Sequence, residues 1–198
     1  MRQEEIKELF RKNNALLNGH FLLSSGLHSD TYFQSALILQ HPEEAARFLT
    51  VRLPDAPSAF ERLKENGIEA GAVVSPAMGG VIIGHETGRA LGIRAVFTER
   101  VDGKVTLRRG FSVSKGEKII VAEDVVTTGL STKEVIAALS QYGAEAVAVV
   151  SLVDRSAGKA DFGVPLFSLL SLEVKSYKAE DCPMCKEGSR PVKPGSRR

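Results

Sequence analysis

The sequence predicts an α/β domain built around a mostly parallel sheet. Short apolar runs rich in β-branched residues alternate with amphipathic, helix-spaced stretches through the middle of the chain, which is the order typical of parallel strands joined by helices. One run, Ile119–Ala122, is apolar at every position, as expected for a strand covered on both faces. With 198 residues and 43% hydrophobic content, the chain is long enough for one domain and a small subdomain.

The individual elements follow from spacing and from Pro and Gly. Ile6, Leu9 and Phe10 recur at near-helical spacing, Pro42 is favoured at the start of a helix, and Gly67 ends one. The predicted elements are, in order, helix Glu4–Leu17, strand, turn and strand over Phe21–Leu39, helix Pro42 to about Leu53, helix Ala59–Asn66, strand Ala70–Val74, helix Val81–Leu91, strand Arg94–Phe97, strand Lys118–Ala122, helix Thr132–Tyr142 and strand Ala146–Val153.

The stretch Lys118–Thr132, KIIVAEDVVTTGLST, carries the strongest functional signal. Glu123 and Asp124 follow a buried strand at its carboxyl end, where open α/β sheets bind ligands. The Thr/Gly loop after them offers hydroxyls and backbone N–H groups, and the next helix directs its positive end at an anion held there. Carboxylates accept hydrogen bonds from a cis-diol, so the segment predicts a site for a phosphorylated ribose. The alternative is a plain turn with a helix cap and solvated acids.

Two further segments carry candidate site residues. Pro76–Gly80, PAMGG, follows a strand and precedes a helix, so Gly79 and Gly80 allow backbone N–H groups to approach a diphosphate. A plain turn is the competing interpretation of this short motif. Arg100 and Lys104 flank an Asp-Gly turn and indicate a mobile basic hairpin, for which the alternative is an exposed hairpin that touches nothing.

The acidic motif resembles the phosphoribosyl-pyrophosphate motif of the type I phosphoribosyltransferases. Further segments narrow the resemblance to the orotate phosphoribosyltransferases: SSGLHSDTYFQS, VVSPAMGGVIIGHETGRALG, FTERVDGKVTLRRGF and SLVDRSAG. The resemblance implies the type I phosphoribosyltransferase fold, a central mostly parallel sheet flanked by helices. It implies one domain with a core over about 60–160, a hood from about 1–40 and 160–187 and a mobile catalytic loop. The locally basic composition of 188–198 separately predicts a disordered tail.

The resemblance also implies roles for residues. Phosphoribosyl pyrophosphate would be bound by Glu123, Asp124, Val125, Val126, Thr127, Thr128, Gly129, Leu130, Ser131, Gly79 and Gly80. Orotate would be bound by Thr127, Arg155, Ser25, His28, Tyr32 and Phe33, and catalysis would use Arg100, Lys104 and Asp124. Mg²⁺ is the implied cofactor, bound mainly through the substrate, with Asp124 as its candidate protein ligand. The implied assembly is a homodimer in which the loop of one subunit closes over the site of the other.

Two positions depart from many relatives, because Gly79 and His28 stand where a Lys is common.

Two other functions also stay open, a phosphoribosyltransferase for another base and a regulator that senses phosphoribosyl pyrophosphate and binds nucleic acid. Without the resemblance, Arg155 has a structural alternative, an ion pair with Asp154 or a nearby acid, and Tyr32 and Phe33 have ordinary strand packing.

Composition argues against several classes of partner. The net charge of +2 gives no reason to expect nucleic acid or a membrane surface as a partner, although the last residues are locally basic. The first twenty residues are typical of an amphipathic helix rather than a signal peptide, and no apolar stretch has the length of a membrane span. We therefore expect a cytoplasmic protein that acts on small molecules.

The two cysteines, Cys182 and Cys185, have the spacing of half a zinc site or of a redox pair. A structural zinc needs about four ligands, and no second Cys or His pair lies nearby in the sequence, so zinc within one chain is not expected. A zinc shared between two subunits, a disulfide and two reduced thiols stay open, with reduced thiols favoured in a cytosolic setting.

Overall fold

The computed structural model describes residues 3–23, 25–50 and 57–194. Its helices and strands are, in order, α1 Gln3–Lys12, β1 Leu16–Leu22, β2 His28–Phe33, α2 Ala36–Leu39, α3 Pro42–Arg47, α4 Ala59–Glu65, β3 Ala72–Pro76, α5 Gly80–Leu91, β4 Arg94–Val101, β5 Lys104–Leu107, β6 Lys118–Val126, α6 Leu130–Gln141, β7 Glu145–Asp154, β8 Leu166–Ser171 and α7 Pro183–Lys186.

The main sheet has six strands in the order β5-β4-β3-β6-β7-β8. All neighbours are parallel except β4 and β5, which form an antiparallel hairpin. The chain passes from β3 outward to β4 and then returns to place β6 on the other side of β3, so the carboxyl ends of β3 and β6 border the point where the strand order reverses. Ligands bind at such a point in open α/β sheets.

Strand β6 is buried on both faces, and its side chains alternate between two cores. Ile119 and Val121 pack with residues of α6, while Ile120 and Ala122 pack with residues of α4 and α5 on the opposite face. Successive side chains of a strand point to opposite faces, so the continuous apolar run that the sequence predicted is explained by helices on both sides.

Helix α5 lies close to the sheet because glycines form one row along it. Gly80, Gly84 and Gly88 are buried at intervals of four residues, which places them on one side of the helix. A Cβ at Gly84 would lie 2.6 Å from the Ser75 hydroxyl, and a Cβ at Gly88 would lie 2.9 Å from the Ala95 Cβ. The helix therefore approaches β3 and β4 more closely than any side chain would allow.

The predicted α/β class is confirmed, and most predicted core elements are present. The N-terminal helix is shorter than predicted and ends at Lys12, because Asn14 takes a left-handed backbone with φ of 51°, a conformation that Asn tolerates at helix ends. Strand β1 then begins at Leu16, inside the predicted helix.

Other boundaries also differ from the prediction. Residues Ala36–Leu39 form a helix rather than the end of a strand, and β6 continues through the acidic pair to Val126 instead of ending at Ala122. Strand β8 was not predicted, although its run Leu166–Ser171 is largely apolar. The end of the helix predicted from Pro42 to about Leu53 lies outside the described residues.

The chain forms a second sheet of two strands, separate from the six-stranded sheet. Strands β1 and β2 pair with each other, and the C-terminal segment is bonded to both of their outer edges. The backbone N–H of His28 donates to Tyr177 O at 2.8 Å, and that of Leu22 donates to Val192 O at 2.8 Å. The described part of the predicted basic tail, 188–194, therefore includes a stretch bonded to β1, while 195–198 lie outside the described residues.

None of the helices within the described ranges combines the length and apolar composition that a membrane-spanning helix needs.

Replacing Gly88 by Ala tests the close packing of α5. Inside a helix this change ordinarily stabilises by about 1 kcal/mol. Because the new methyl group would lie 2.9 Å from both the Ala95 Cβ and the Ile93 carbonyl oxygen, we expect the free energy of unfolding in urea to fall by about 1–3 kcal/mol. The exposed neighbour gives a control, Arg89→Ala, which should change it by less than about 0.5 kcal/mol. A Gly88→Ala protein more stable than the wild type would contradict this packing.

Candidate active site

The acidic pair is divided between the two faces of the sheet. Glu123 continues the row of Ile119 and Val121 and lies near α6, where the Thr132 hydroxyl donates to its carboxyl group at 3.5 Å. Asp124 points to the opposite face, where its carboxylate accepts a short hydrogen bond from the Ser35 hydroxyl. The two acids therefore have different surroundings.

Glu123 is almost fully buried, with 7% of its surface exposed. Burial, followed by the negative charge of Asp124, raises the pKa of the Glu123 carboxyl to about 9. At neutral pH, without a ligand, Glu123 is therefore a neutral hydrogen-bonding group. The sequence prediction treated both acids as carboxylates, and burial corrects this for Glu123.

Asp124 lies against the glycine loop that follows β3. A Cβ at Gly79 would lie 2.7 Å from both carboxylate oxygens of Asp124, and a Cβ at Gly80 would lie 3.0 Å from the Ala122 carbonyl oxygen. Any side chain at Gly79 would collide with the Asp124 carboxylate in this arrangement. The glycine loop and the acidic strand thus meet at the carboxyl ends of β3 and β6, while the role of the loop in binding a diphosphate stays a prediction.

The Thr/Gly loop forms an open pocket at the N-terminus of α6. Gly129 takes φ of 76°, and a Cβ there would lie 2.7 Å from the Phe162 ring, so both the backbone conformation and the packing require glycine. The residues that line the pocket are Ser25, Glu123, Val125, Val126, Thr127, Thr128, Gly129, Leu130, Ser131 and Thr132. Unpaired N–H groups at a helix N-terminus bind anions, so this pocket is suited to a phosphate.

Arg155 lies just beyond the carboxyl end of β7 and is buried, with 8% exposure. One guanidinium nitrogen, Nη2, donates to the Ser29 hydroxyl at 3.2 Å and to the Thr31 carbonyl oxygen at 3.4 Å. Its Nε is buried and has no hydrogen-bond partner. Burial lowers the pKa of the Arg155 guanidinium, and a buried donor without a partner is costly. The side chain is thus suited to bind an anion.

The neighbouring acid does not neutralise Arg155 by a direct ion pair. Asp154 instead accepts hydrogen bonds from the backbone N–H groups of Ser156 and Gly158, at 2.8 and 2.7 Å, and from the Ser171 hydroxyl at 3.1 Å. These contacts fix the loop after β7. The structural alternative for Arg155, an ion pair with Asp154, is therefore excluded by geometry.

Tyr32 lies in the electrostatic field of both Asp124 and Arg155. Burial and the charge of Asp124 raise the pKa of the Tyr32 hydroxyl, while Arg155 acts in the opposite direction. Phe33, the next residue in β2, points the other way and packs edge-on against Phe10 with ring centroids 5.7 Å apart. The prediction for Phe33 is thereby corrected, because adjacent strand residues face opposite sides and Phe33 belongs to the core.

His28 is also directed away from the predicted base site. Its ring is buried, and its Nδ1 lies 2.9 Å from His20 Nε2 and 3.3 Å from Cys185 Sγ. The predicted contact between the His28 side chain and a base does not fit this position. Ser25, on the turn between β1 and β2, lines the pocket formed by the Thr/Gly loop.

The basic hairpin is folded against α6 of the same chain. Arg100 forms an ion pair with Glu134 of α6 and donates to the Gly103 carbonyl oxygen at 2.7 Å. Asp102 and Gly103 have left-handed backbones at the turn, as the Asp-Gly signal predicted. The residues that line the phosphate pocket come from the β1–β2 turn and from 123–132, so Lys104, like Arg100, lies outside that lining.

Ser35 is a site residue that sequence reasoning missed. Its hydroxyl donates to Asp124, and its side chain is buried, with 4% exposure. The two residues are 89 positions apart in the chain, so no local pattern links them. Ser35 lies two residues after β2 ends, at the start of α2, and it is the last residue of the segment SSGLHSDTYFQS, which was the one available signal.

The fold and the site together define a class of protein. Two loops suited to phosphate and diphosphate meet a strand-borne acidic pair at the reversal of a mostly parallel sheet, which is the arrangement of a type I phosphoribosyltransferase. The family model described as "Phosphoribosyl transferase domain" matches residues 56–181. An orotate phosphoribosyltransferase of Heliobacterium modesticaldum is 51% identical over 197 residues, which cover 100% of both chains. The chain therefore belongs to the orotate phosphoribosyltransferases.

Other comparisons agree. An orotate phosphoribosyltransferase of Acidithiobacillus ferrooxidans is 48% identical over 198 residues, covering 100% of this chain and 98% of that protein. Among solved structures, the orotate phosphoribosyltransferase from Aeropyrum pernix matches with a TM-score of 0.63 and 26% identity, covering 83% of this chain and 92% of that chain. The predicted family and fold are thus confirmed.

The raised pKa of Glu123 predicts a pH-dependent stability. Between the ordinary carboxyl value of 4.5 and about 9, the folded protein holds a proton on Glu123 that the unfolded chain has lost. The free energy of unfolding therefore falls as pH rises through this window. Because Gln cannot lose a proton, Glu123→Gln should gain stability relative to the wild type from about pH 5 to about pH 8.5. Urea denaturation of both proteins, without magnesium or substrate, measures the difference. An equal difference at every pH would contradict the raised pKa.

Proposed function

We propose that the chain transfers the 5-phosphoribosyl group from phosphoribosyl pyrophosphate to orotate. In this reaction N1 of orotate, having lost its proton, forms a bond to ribose C1, and the bond from C1 to pyrophosphate breaks as pyrophosphate leaves with the electron pair. The observation that carries the assignment to orotate is Arg155, whose buried Nε has no partner. A planar guanidinium binds a planar carboxylate by two parallel hydrogen bonds, and orotate carries such a carboxylate.

The binding of phosphoribosyl pyrophosphate is assigned to the two loops and the acidic strand. The pocket formed by Thr127–Ser131 would hold the 5-phosphate, and Asp124 would accept hydrogen bonds from the ribose hydroxyls. Glu123, neutral at pH 7 in the free protein, offers both a donor and an acceptor to the same sugar. Gly79 and Gly80 would allow the diphosphate to reach backbone N–H groups, in place of the Lys that many relatives carry.

Tyr32 and Arg155 would define the base site together with Thr127. Tyr32 lies in the field of Asp124 and Arg155, which supports a position of its ring between the proposed ribose and carboxylate groups. The ring is suited to contact a flat pyrimidine. Ser25 lines the phosphate pocket from the β1–β2 turn and so is assigned to phosphoribosyl pyrophosphate as well as to the predicted base segment.

Magnesium fits the donor set of this site. Mg²⁺ is usually held by one or two carboxylates together with substrate phosphates and water, and Asp124 presents a carboxylate beside the proposed diphosphate loop. When bound, the ion would neutralise charge on the leaving pyrophosphate. Asp124 would hold it together with the substrate, and Ser35 would orient the Asp124 carboxylate.

The basic hairpin is proposed to act on the site of a second subunit. In its own subunit Arg100 is paired with Glu134, and neither Arg100 nor Lys104 lines the pocket. Met78 and Ile82, with 84% and 41% exposure, form an apolar surface beside the diphosphate loop, which suits an isologous contact between two copies. Cationic side chains that close over the leaving group would stabilise its charge and exclude water.

A cytoplasmic location also stays a prediction.

Arg155→Ala tests the assignment of orotate. Because only the base carries the carboxylate, we expect kcat/KM for orotate to fall by about one to three orders of magnitude, while the Kd for phosphoribosyl pyrophosphate barely changes. Arg155→Lys, which keeps the charge and loses the fork, should recover part of the activity. Arg62→Ala is a matched control, since Arg62 also has a buried Nε without a partner and should leave kcat/KM near the wild-type value.

Equal losses for both substrates would show that Arg155 is structural. Unchanged kinetics in Arg155→Ala would place the orotate carboxylate elsewhere. Assays with uracil, adenine and hypoxanthine in parallel distinguish the other proposed bases, and failure to release pyrophosphate with any base would favour the regulator.

A subunit-mixing experiment tests the shared loop. Lys104→Ala and Asp124→Asn should each reduce kcat by roughly tenfold or more, because each removes a charged contact worth about 1.5–3 kcal/mol. A mixed dimer would contain one site with an intact loop and an intact acid, so activity should reappear after the two variants exchange subunits. Exchange is monitored with differently tagged chains. If the mixed dimers form and stay inactive, the loop acts within its own subunit or not at all.

A further inference from the structure

Four potential metal ligands converge on one point outside the active site. They are His20, His28, Cys182 and Cys185, and their ligand atoms all lie within 4.8 Å of one another. Three of the four side chains are buried, and Cys185 is partly buried. The sequence prediction argued against zinc within one chain because no second pair lay near the cysteines. The fold corrects this, since it brings two histidines from a hairpin more than 150 residues away.

Three of four separations between ligand atoms fall within the range of tetrahedral coordination, and the separation of the two histidine nitrogens is a few tenths of an ångström shorter. His20 Nε2 lies 2.9 Å from His28 Nδ1, 3.5 Å from Cys182 Sγ and 3.7 Å from Cys185 Sγ, and Cys185 Sγ lies 3.3 Å from His28 Nδ1. In a tetrahedral zinc site, with Zn–N near 2.0–2.1 Å and Zn–S near 2.3 Å, the ligand atoms are separated by roughly 3.3–3.8 Å. The cluster is therefore close to the size that a single zinc ion requires.

Hydrogen bonding among these groups does not account for the arrangement. His20 Nε2 is within contact distance of all three other ligand atoms, yet an imidazole nitrogen carries either one proton or one lone pair. It can therefore satisfy one neighbour at a time. A central cation satisfies all four ligand atoms together.

The four candidate ligands come from three parts of the chain, namely β1, β2 and the turn that forms α7. Leu22 of β1 pairs with His28 of β2, and His20 lies two residues before Leu22, so strand alternation puts His20 on the same side as His28. The cysteines lie on the short turn of α7, where the Lys186 N–H donates to the Cys182 carbonyl oxygen at 3.2 Å. The C-terminal segment is bonded to β2 before this turn and to β1 after it.

The C-terminal segment has little else to hold it. Within 173–194, Cys182 is the one fully buried residue, so apolar packing contributes little to fixing this segment. In addition, His20 Nδ1 lies 3.2 Å from the Ser189 hydroxyl. Metal-bound histidines usually pair their second nitrogen with an outer group that fixes the ring, and Ser189 has this position.

We propose that His20, His28, Cys182 and Cys185 of one chain bind a single structural Zn²⁺ ion that fastens the C-terminal segment to the β1–β2 hairpin. Two thiolates and two imidazoles form a donor set typical of structural zinc, and four protein ligands leave no open position for catalysis. The same hairpin carries Ser29 and Thr31, which contact Arg155. The ion would therefore also fix one wall of the proposed orotate site, at a distance from the chemistry.

Metal content gives the direct test. The purified full-length protein, reduced, freed of metal and then loaded with Zn²⁺, should retain one zinc per chain after gel filtration, measured by elemental analysis. Loading with Co²⁺ instead should produce the visible absorption of tetrahedral cobalt with thiolate-to-metal bands. Half a zinc per chain would show a site shared between subunits and overturn the proposal, as would no retained metal in the folded protein.

Substitutions then assign the ligands. His20→Ala, His28→Ala and Cys182→Ser should each abolish stoichiometric zinc or change the cobalt spectrum, whereas His41→Ala, at an exposed histidine, should leave both unchanged. Ser189→Ala should keep the ion but weaken its affinity by about 10- to 100-fold. If a ligand variant does not fold, the cobalt spectrum of the wild type still decides the site.

A disulfide or two reduced thiols at Cys182 and Cys185 would give results different from those of a zinc site. A disulfide would leave no reactive thiols in the protein purified without reductant, and it would bind no cobalt. Two plain reduced thiols would react with a thiol reagent at the same rate with or without Zn²⁺. Zinc should instead protect both cysteines, and it should slow hydrogen exchange of the Leu22 and His28 amides, which are bonded to the C-terminal segment. Exchange that is unchanged by zinc would contradict the fastening role.

Discussion

The placement of β6 between β3 and β7 is the constraint on which the proposed site depends. Parallel pairing on both sides places β6 inside the sheet, where its residues from Ile119 to Glu123 are buried. The alternation of its side chains then directs Glu123 toward α6 and Asp124 toward the loop after β3. One acid is thereby neutralised by burial and the other stays beside polar groups. Two carboxyl groups that are adjacent in sequence become chemically distinct because a strand has two faces.

The glycine loop is adapted to this acid. In the present arrangement the Asp124 carboxylate occupies the space that a side chain at Gly79 would need, so glycine at this position is coupled to the close approach of strand and loop. The row of glycines in α5 also favours close packing, because it lets the helix lie close to β3 and β4.

The β1–β2 hairpin takes part in both the proposed orotate site and the proposed zinc site. It offers the Ser29 hydroxyl and the Thr31 carbonyl oxygen to Arg155, and it offers His20 and His28 to the two cysteines. Successive side chains of β2 point to opposite faces, so Ser29 and the core residue Phe33 lie on the face opposite to His28. A metal ion bound by His20 and His28 would hold the hairpin backbone in place, and with it the residues that contact Arg155. Such an ion would stabilise a small subdomain that has little apolar surface of its own.

The sequence by itself determined the α/β class and predicted the phosphate loop, the acidic pair and the Arg at the end of β7. Each of these features lies in a run of consecutive residues whose pattern is typical of a strand, a helix or the loop between them. The sequence did not determine which acid would be neutral, since that depends on burial by α6. Nor did it reveal Ser35 beside Asp124 or the four-residue cluster around Cys182, because these contacts join residues 89 and more than 150 positions apart. Local periodicity predicts elements and their ends, whereas contacts between elements arise only when strand order and packing fix which faces meet.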